Sequence, residues 1–134
     1  MGRLLFLSII LLMLSGCVGG TYQHWSTHNI STSLPPSQYP VIVISEQGFQ
    51  LEPEYYEVLG PVESVVENIT AFERRCIGAI NLLKSEARKH GADALIHTHC
   101  GAAVGSARAS GIAIIFKNRN ESLKRLEEIG AIIR

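Results

Sequence analysis

The chain has 134 residues, with 12 basic and 12 acidic side chains and a formal net charge of zero. This length is enough for one domain with a substantial core but short for two. The basic residues stand beside acidic ones rather than in clusters, which excludes the dense positive surface that nucleic-acid backbones require, so we expect no nucleic-acid partner.

The first 16 residues have the architecture of an export leader, in which Arg3 precedes an apolar run over residues 4–14. The run is shorter than the roughly 20 residues of a membrane-spanning helix, so a cleaved signal peptide over residues 1–16 is favoured. The segment Leu-Ser-Gly-Cys, which starts at the last residue of this run and ends at Cys17, resembles the bacterial lipobox, whose cysteine becomes an acylated N-terminus. The alternative is an ordinary buried or disulfide-bonded Cys17 near an uncleaved N-terminus.

Acylation of Cys17 would make the membrane the first partner of this chain. Two or more acyl chains anchor a protein stably, whereas one does so only marginally. In lipoproteins of this type the residue after the cysteine influences sorting, and Val18 lacks the aspartate linked with inner-membrane retention. We therefore expect a lipid-anchored protein of the bacterial cell envelope, in the outer membrane and facing the periplasm.

Residues 17–39 are predicted to be the acylated cysteine followed by a flexible tether. They contain Gly19-Gly20, a run of polar residues and the pair Pro35-Pro36, with little apolar periodicity. This composition is typical of linkers. Tyr22 and Trp25 are exceptions, and contact of these aromatic rings with the lipid headgroups is an alternative for them.

Residues 40–134 are predicted to form a single α+β domain that begins with two strands. The β-branched run at residues 41–44 indicates a well-buried strand. A second strand is predicted over residues 55–64, with Gly60-Pro61 in its middle. Because proline cannot donate a hydrogen bond to a neighbouring strand, this pair implies a bulge or a sheet edge.

The main helix is predicted to begin at Ala71, since Thr70 and Glu73 have the spacing of a capping box. Apolar residues at steps of three or four place Cys76 towards the core. The helix is expected to end at Gly91, after two basic residues. Asp93, the chain's one aspartate, is expected to fix the turn that follows. The predicted apolar stripe comprises Phe72, Cys76, Ile80, Leu83 and Ala87.

Two further strands and a short helix are predicted after that turn. Residues 94–100 read as a strand, residues 101–110 as a flexible hairpin connection and residues 111–117 as the partner strand. Strand alternation predicts two faces. One face would carry Ala94, Ile96, Thr98 and Cys100, and the other Leu95, His97 and His99. A final helix is predicted with Asn120 as its cap and Gly130 at its end.

These elements predict an α+β fold in which a small antiparallel sheet packs on one main helix, with a short C-terminal helix. Three segments carry a resemblance: Tyr-Glu-Val-Leu-Gly-Pro-Val ending at Val62, Gly-Ala-Asp-Ala at residues 91–94, and Gly-Ile-Ala-Ile from Gly111. Over residues 41–117 the chain resembles the YbjQ-type family, often labelled a heavy-metal-binding domain, and the core of the Rcs stress-sensing outer-membrane lipoproteins. The resemblance implies a compact α+β domain, a homo-oligomer and no enzyme. The cysteine pattern of the Rcs type is incomplete here.

His97 and His99 are the strongest candidates for a functional site, as ligands of a metal ion. Residues two apart on a regular strand point the same way with Cα atoms about 7 Å apart, close enough to hold one divalent transition metal. The site would need further ligands, from a bulge that turns Cys100, from a neighbouring subunit, or from His90, His24 or His28. The alternative is a pair of solvated histidines on an open sheet face, with no cofactor.

Cys76 and Cys100 are both predicted to point inward, between helix and sheet. In an oxidising periplasm they could form a disulfide, and closing a loop of about 25 residues would stabilise the domain by roughly 3 kcal/mol. Otherwise they are small buried hydrophobic residues.

No catalytic motif stands out, so we expect a non-enzymatic protein. The predicted function is a bacterial envelope lipoprotein whose α+β domain mediates protein interaction or self-assembly, with envelope stress sensing as the role that the Rcs resemblance implies. The alternative function is a periplasmic metal-binding lipoprotein that uses His97 and His99.

Overall fold

The computed structural model describes residues 20–24, 34–45, 51–67, 72–131 and 133–134. In these residues five strands form one sheet, which carries a long helix on one face and a short helix on the other. The elements are β1 (Gly20–His24), β2 (Ile42–Val43), a 3-10 turn (Pro53–Tyr55), β3 (Tyr56–Glu67), α1 (Phe72–Lys89), β4 (Ala94–Ala103), β5 (Ser106–Phe116) and α2 (Arg119–Glu128). The leader, Cys17, Thr70 and Ala71 lie outside the described residues.

The strand order in the sheet is β1-β3-β5-β4-β2. The predicted α+β class is confirmed, but the sheet is mixed rather than wholly antiparallel because β2 runs parallel to β4. The pairing is completed by Ile42 and Ile44, whose N–H groups donate to the carbonyls of Asp93 and Leu95. On its other side β2 meets the C-terminus, where Val43 and Arg134 exchange two backbone hydrogen bonds.

The expected tether over residues 17–39 needs correction, because residues 20–24 form the edge strand β1. They pair antiparallel with residues 62–66 of β3. An edge strand is hydrogen-bonded on one side only and tolerates polar residues, so the lack of apolar alternation in this segment concealed it. Further along, Leu34 packs against the core under α1. Both ends of the supposed tether that the structure describes therefore belong to the folded domain.

The bulge predicted at Gly60-Pro61 is confirmed. The register between β3 and β5 shifts between Val58 and Gly60, and Gly60 has a φ of 139°. Pro61 lies one residue before the stretch of β3 that pairs with β1, so the missing N–H costs no inter-strand bond on that side. Among the described residues, β3 is therefore at the edge of the sheet up to this pair and is covered by β1 after it.

The core has two parts, one on each face of the sheet. Under α1, the fully buried Leu83 and Ala87 pack against small and β-branched residues of β3, β4 and β5. Under α2, Leu126 packs against Ile96, Ile114 and the segment after Leu51. Neighbouring residues of β5, such as Ala113 and Ile114, belong to opposite parts, as the alternation of side chains along a strand requires.

Residues 101–110 are not a flexible connection. β4 extends to Ala103 and β5 begins at Ser106, so that only Val104 and Gly105 form the turn between them. Ala107 and Ala109 are buried under α1, where small side chains let the helix approach the sheet closely. Part of the small-residue content that suggested flexibility, at Ala107 and Ala109, therefore reflects close packing.

The C-terminal helix starts earlier than predicted. Its cap is Asn118 rather than Asn120, because the Asn118 side chain accepts a hydrogen bond from the N–H of Glu121. Asn120 is an exposed residue of the first turn. Gly130 ends the helix as predicted, with a φ of 71°.

Candidate functional site

The strand that carries His97 and His99 is interrupted by a β-bulge. The register between β4 and β5 is regular up to Ile96 and resumes at His99, so His97 and Thr98 together stand opposite Gly111. His97 has a φ of 50°, a left-handed conformation that non-glycine residues seldom adopt. A Cβ at position 111 would lie 3.2 Å from both the Ile96 carbonyl oxygen and Thr98 Oγ1. Glycine at position 111 therefore leaves room for the bulge.

The bulge overturns the predicted division of β4 into two faces. Leu95 packs in the core under α1, and so do Cys100 and Ala102 beyond the bulge. Ala94 and Ile96 pack in the core on the opposite face. Cys100 therefore shares the face of Leu95, not that of Ile96, because the additional residue reverses the alternation after position 96.

His97 and His99 are both exposed beside this bulge. Within the part of the chain that the structure describes, no group of three or more His, Cys, Asp or Glu side chains is placed to hold a metal ion. Cys100, one of the suggested further ligands, is bonded to another cysteine. Of the tether histidines, His28 lies outside the described residues. The pair alone provides only part of the coordination that a structural zinc ion requires.

Cys76 and Cys100 are joined in a disulfide that links α1 to β4, with Cα atoms 5.8 Å apart. The bond closes a sequence separation of 24 residues. It ties the first half of the helix to the strand just beyond the bulge. The pairing that the sequence left open is thus present, and it fixes the helix on the sheet.

Asp93 is a buried charged residue, 9% exposed, whose side chain makes several polar contacts. Its carboxylate accepts hydrogen bonds from Ser37 Oγ at 3.1 Å and from the N–H of Phe116 at 3.0 Å. It also pairs with Arg119 Nη1 at 3.1 Å, and that guanidinium stacks on the ring of Tyr39. The role of Asp93 is structural, but these contacts differ from the predicted bonding to the adjacent turn: they join three separate segments, namely the segment before β2, the end of β5 and the start of α2.

A groove of about 400 Å³ lies between the last turns of α1 and the segment before β2. The segment is fastened to the helix at Ser37, whose N–H donates to the carbonyl of Arg88 at 2.9 Å while Arg88 Nε donates to the carbonyl of Ser37 at 3.0 Å. The groove is lined by Pro36, Ser37, Pro40, Val41, Lys84, Ser85, Arg88 and Lys89.

The groove combines an apolar surface with positive charge. Pro36, Pro40 and Val41 provide hydrocarbon, while Lys84, Arg88 and Lys89 provide three cations. Lys89 also pairs with Glu86 on the exposed side of the helix. A groove of this volume and composition suits an apolar side chain next to a negatively charged group.

Sequence reasoning missed this groove. Its two walls are separated by more than 40 positions in the chain, and the first wall begins in the stretch interpreted as a tether, at Pro36 and Ser37. The pair Pro35-Pro36 was the only local signal, and it is equally typical of linkers.

Among the described residues, no helix has the length and apolar character to cross a membrane. No family model matches this chain, and no curated protein matches it. Among solved structures, the chain is similar to a Francisella virulence factor, FvfA, with 19% sequence identity and a TM-score of 0.47. The match covers 72% of this chain and 96% of that one. Nothing about function follows from a likeness of this size.

Proposed function

We propose that this chain is a non-enzymatic lipoprotein of the bacterial cell envelope, held in the outer membrane by acyl chains on Cys17. Its α+β domain binds a protein partner or further copies of itself in the periplasm. The resemblance to the Rcs lipoproteins supports envelope stress sensing as the setting.

The disulfide between Cys76 and Cys100 is the observation that carries this proposal. Structural disulfides persist in the periplasm and in secreted proteins and are rare in the reducing cytosol. The bond joins two elements of the core rather than a surface pair. It therefore supports export, independently of the leader sequence and the Leu-Ser-Gly-Cys motif.

The same bond argues against a role for Cys100 as a nucleophile. Nucleophilic attack requires a thiolate, and a sulfur in a disulfide is not one. The neighbouring His99 then has no thiol to activate. This supports a binding role over catalysis for the bulged strand.

Export is tested by comparing the wild-type chain with Cys17→Ser in the native host. We expect the wild-type protein to sediment with the outer membrane and the variant to lose that association, because the thiol accepts the first lipid. Alkylation before reduction should leave Cys76 and Cys100 unlabelled in the wild type. Equal sedimentation of the two proteins, or two reactive thiols, would contradict the proposal.

Binding is tested with a photoreactive amino acid placed in the groove at Lys84. The matched control carries the same group at Lys124, an exposed position on α2, which lies on the other side of the sheet. We expect the probe at position 84 to give a discrete crosslinked species in living cells, and twice the mass of the chain would indicate self-assembly. Crosslinking that is absent, or equal at both positions, would refute the groove as the contact surface.

A further inference from the structure

The first residue of β1, the last residue of β3 and the turn between β4 and β5 lie at the same end of the sheet. Gly20 pairs with Val66, and Glu67 pairs with Ser106. The helix α1 also begins after this end of β3 and runs towards the opposite end, where β4 starts. The domain thus has a turn end, defined by Gly20, Glu67 and the turn Val104–Gly105, and an opposite end that includes the groove.

Val104 stands at the tip of the turn end and is 100% exposed, more than any other large hydrophobic side chain among the described residues. It forms the two-residue turn with Gly105, whose φ is 79°. The base of the turn is held in place by Arg75, which is 8% exposed and donates a hydrogen bond to the carbonyl of Ala103. An apolar side chain is therefore presented to solvent on a fixed support.

We propose that this turn inserts Val104 into the lipid surface, so that the domain stands on the membrane with its turn end down. The inference rests on the acylation of Cys17 proposed above. Cys17 precedes Gly20 by three residues, and three residues of fully extended chain span at most about 11 Å. The lipid attachment therefore lies close to the turn end of the sheet, not to the groove.

The lipid surface fits this tip because the turn itself carries no charge. Of the neighbouring charged residues on the sheet, Arg108 is paired with Glu63 at 3.1 Å, and the exposed Glu67 at the end of β3 brings one negative charge towards the headgroups. One valine contributes little binding energy on its own, but the acyl anchor keeps it at a high local concentration beside the bilayer. The groove then faces the periplasm, about the length of β5 away from the membrane.

The test places an environment-sensitive fluorophore on Val104→Cys in the mature, acylated protein. The protein is reconstituted in vesicles of phosphatidylethanolamine and phosphatidylglycerol, some of which contain lipids spin-labelled near the headgroup. Cys76 and Cys100 do not react with the label while they are bonded. The full exposure of Val104 means that the substitution leaves the fold intact. The matched control is Lys117→Cys, exposed at the opposite end of the 11-residue β5.

We expect spin-labelled lipids to quench the fluorophore at position 104 several-fold more strongly than the one at position 117. Equal quenching at both positions in protein with a lipid-modified Cys17 would overturn the orientation and leave the proposed lipoprotein function standing. A blue-shifted but unquenched fluorophore at position 104 would also overturn it, because the tip would then contact protein. A mature chain without acyl groups, as measured by mass spectrometry before reconstitution, would overturn both proposals.

Discussion

At the scale of single residues, Asp93 should contribute more to stability than any exposed charged residue. Replacing it with alanine removes the partner of a backbone N–H, a serine hydroxyl and the Arg119 guanidinium, whose side chain is only 18% exposed. Breaking a largely buried ion pair on one side typically costs about 3–5 kcal/mol. We predict that Asp93→Ala lowers the free energy of unfolding by roughly that amount, as measured by urea denaturation.

The control for this prediction is Glu86→Ala, which removes the partner of the exposed Lys89. Exposed pairs at this spacing are worth less than about 0.5 kcal/mol. Equal losses for Asp93→Ala and Glu86→Ala would contradict the central position assigned to Asp93.

Two glycines with positive φ allow the cost of a left-handed backbone conformation to be measured separately from the cost of steric contact. Gly91 has a φ of 85°, and a Cβ there would lie 2.9 Å from Leu34 Cβ and 3.0 Å from the Pro35 carbonyl oxygen. Gly130 has a φ of 71° with nothing within 4 Å. Both alanine variants should lose about 1 kcal/mol from the left-handed conformation. We predict a clearly larger loss for Gly91→Ala in urea denaturation, because the backbone of residues 34–35 must also move.

If Gly91→Ala and Gly130→Ala were equally destabilised, residues 34–35 would not pack against the end of α1 as described. The same result would remove the support for the groove, since that segment leads directly into its first wall.

At the scale of elements, the disulfide should determine how firmly α1 is held on the sheet. In the chain-entropy model, closing a loop of about 25 residues stabilises the folded state by roughly 3 kcal/mol. We predict a loss of that order for the double variant Cys76→Ala/Cys100→Ala in urea denaturation. Reduction of the wild-type protein should give a similar loss, and an unchanged unfolding midpoint in both cases would contradict this role.

The contact between α2 and the segment before the 3-10 turn should depend on pH. Arg125 donates two hydrogen bonds to the carboxylate of Glu52, and this interaction lowers the pKa of Glu52 from its ordinary value of 4.5. A lowered pKa in the folded state means that the stabilisation is present above pH 4.5 and is lost as the pH falls through the folded-state value. The same pairing raises the pKa of Arg125, which stays charged throughout.

We predict that Glu52→Gln destabilises the domain slightly near neutral pH, and that the difference from the wild type disappears in acid. Urea midpoints measured at about pH 7 and about pH 3 check this. The effect should be small because the pair is partly solvated, with Glu52 41% and Arg125 34% exposed. A difference that grows in acid would have the wrong sign for this ion pair.

Elements with strong local signals were predictable from the sequence, whereas the sheet pairing was not. The end of α1 at Gly91 and the bulge at Gly60 follow from glycine and proline placement. The parallel pairing of β2 with β4 depends on contacts between distant segments, which no local pattern encodes. β1 was missed because its only described pairing is at the edge of the sheet, where selection for apolar residues is weak.

For the candidate site, individual residues were predictable from the sequence, but their arrangement in space was not. Cys76 and Cys100 were identified, but their meeting depends on the bulge at His97, which returns Cys100 to the helix side of the sheet. The sequence signal for that bulge was Gly111 within a strand pattern, and it lies on the partner strand rather than beside the histidines. The groove could not be predicted because β2, β3 and most of α1 separate its two walls along the chain.

At the scale of the whole molecule, the proposed acylation of Cys17 would hold a small domain against a membrane, with the cationic groove at the end of the sheet opposite the turn Val104–Gly105. Three residues along the chain separate Cys17 from β1, where composition had suggested a long tether. A domain placed in this way would meet partners that lie near the membrane, such as other envelope proteins or its own copies. The proposed anchoring, compartment and choice of partner thus all depend on the acylation of Cys17.

The most direct test is mass spectrometry of the N-terminal peptide from protein purified from its native host. We predict a peptide that begins at Cys17 and carries a diacylglyceryl group on sulfur and an acyl chain on nitrogen, in a protein whose Cys76 and Cys100 are oxidised. A peptide that retains Met1 and the intact leader, with an unmodified thiol at position 17, would contradict the account.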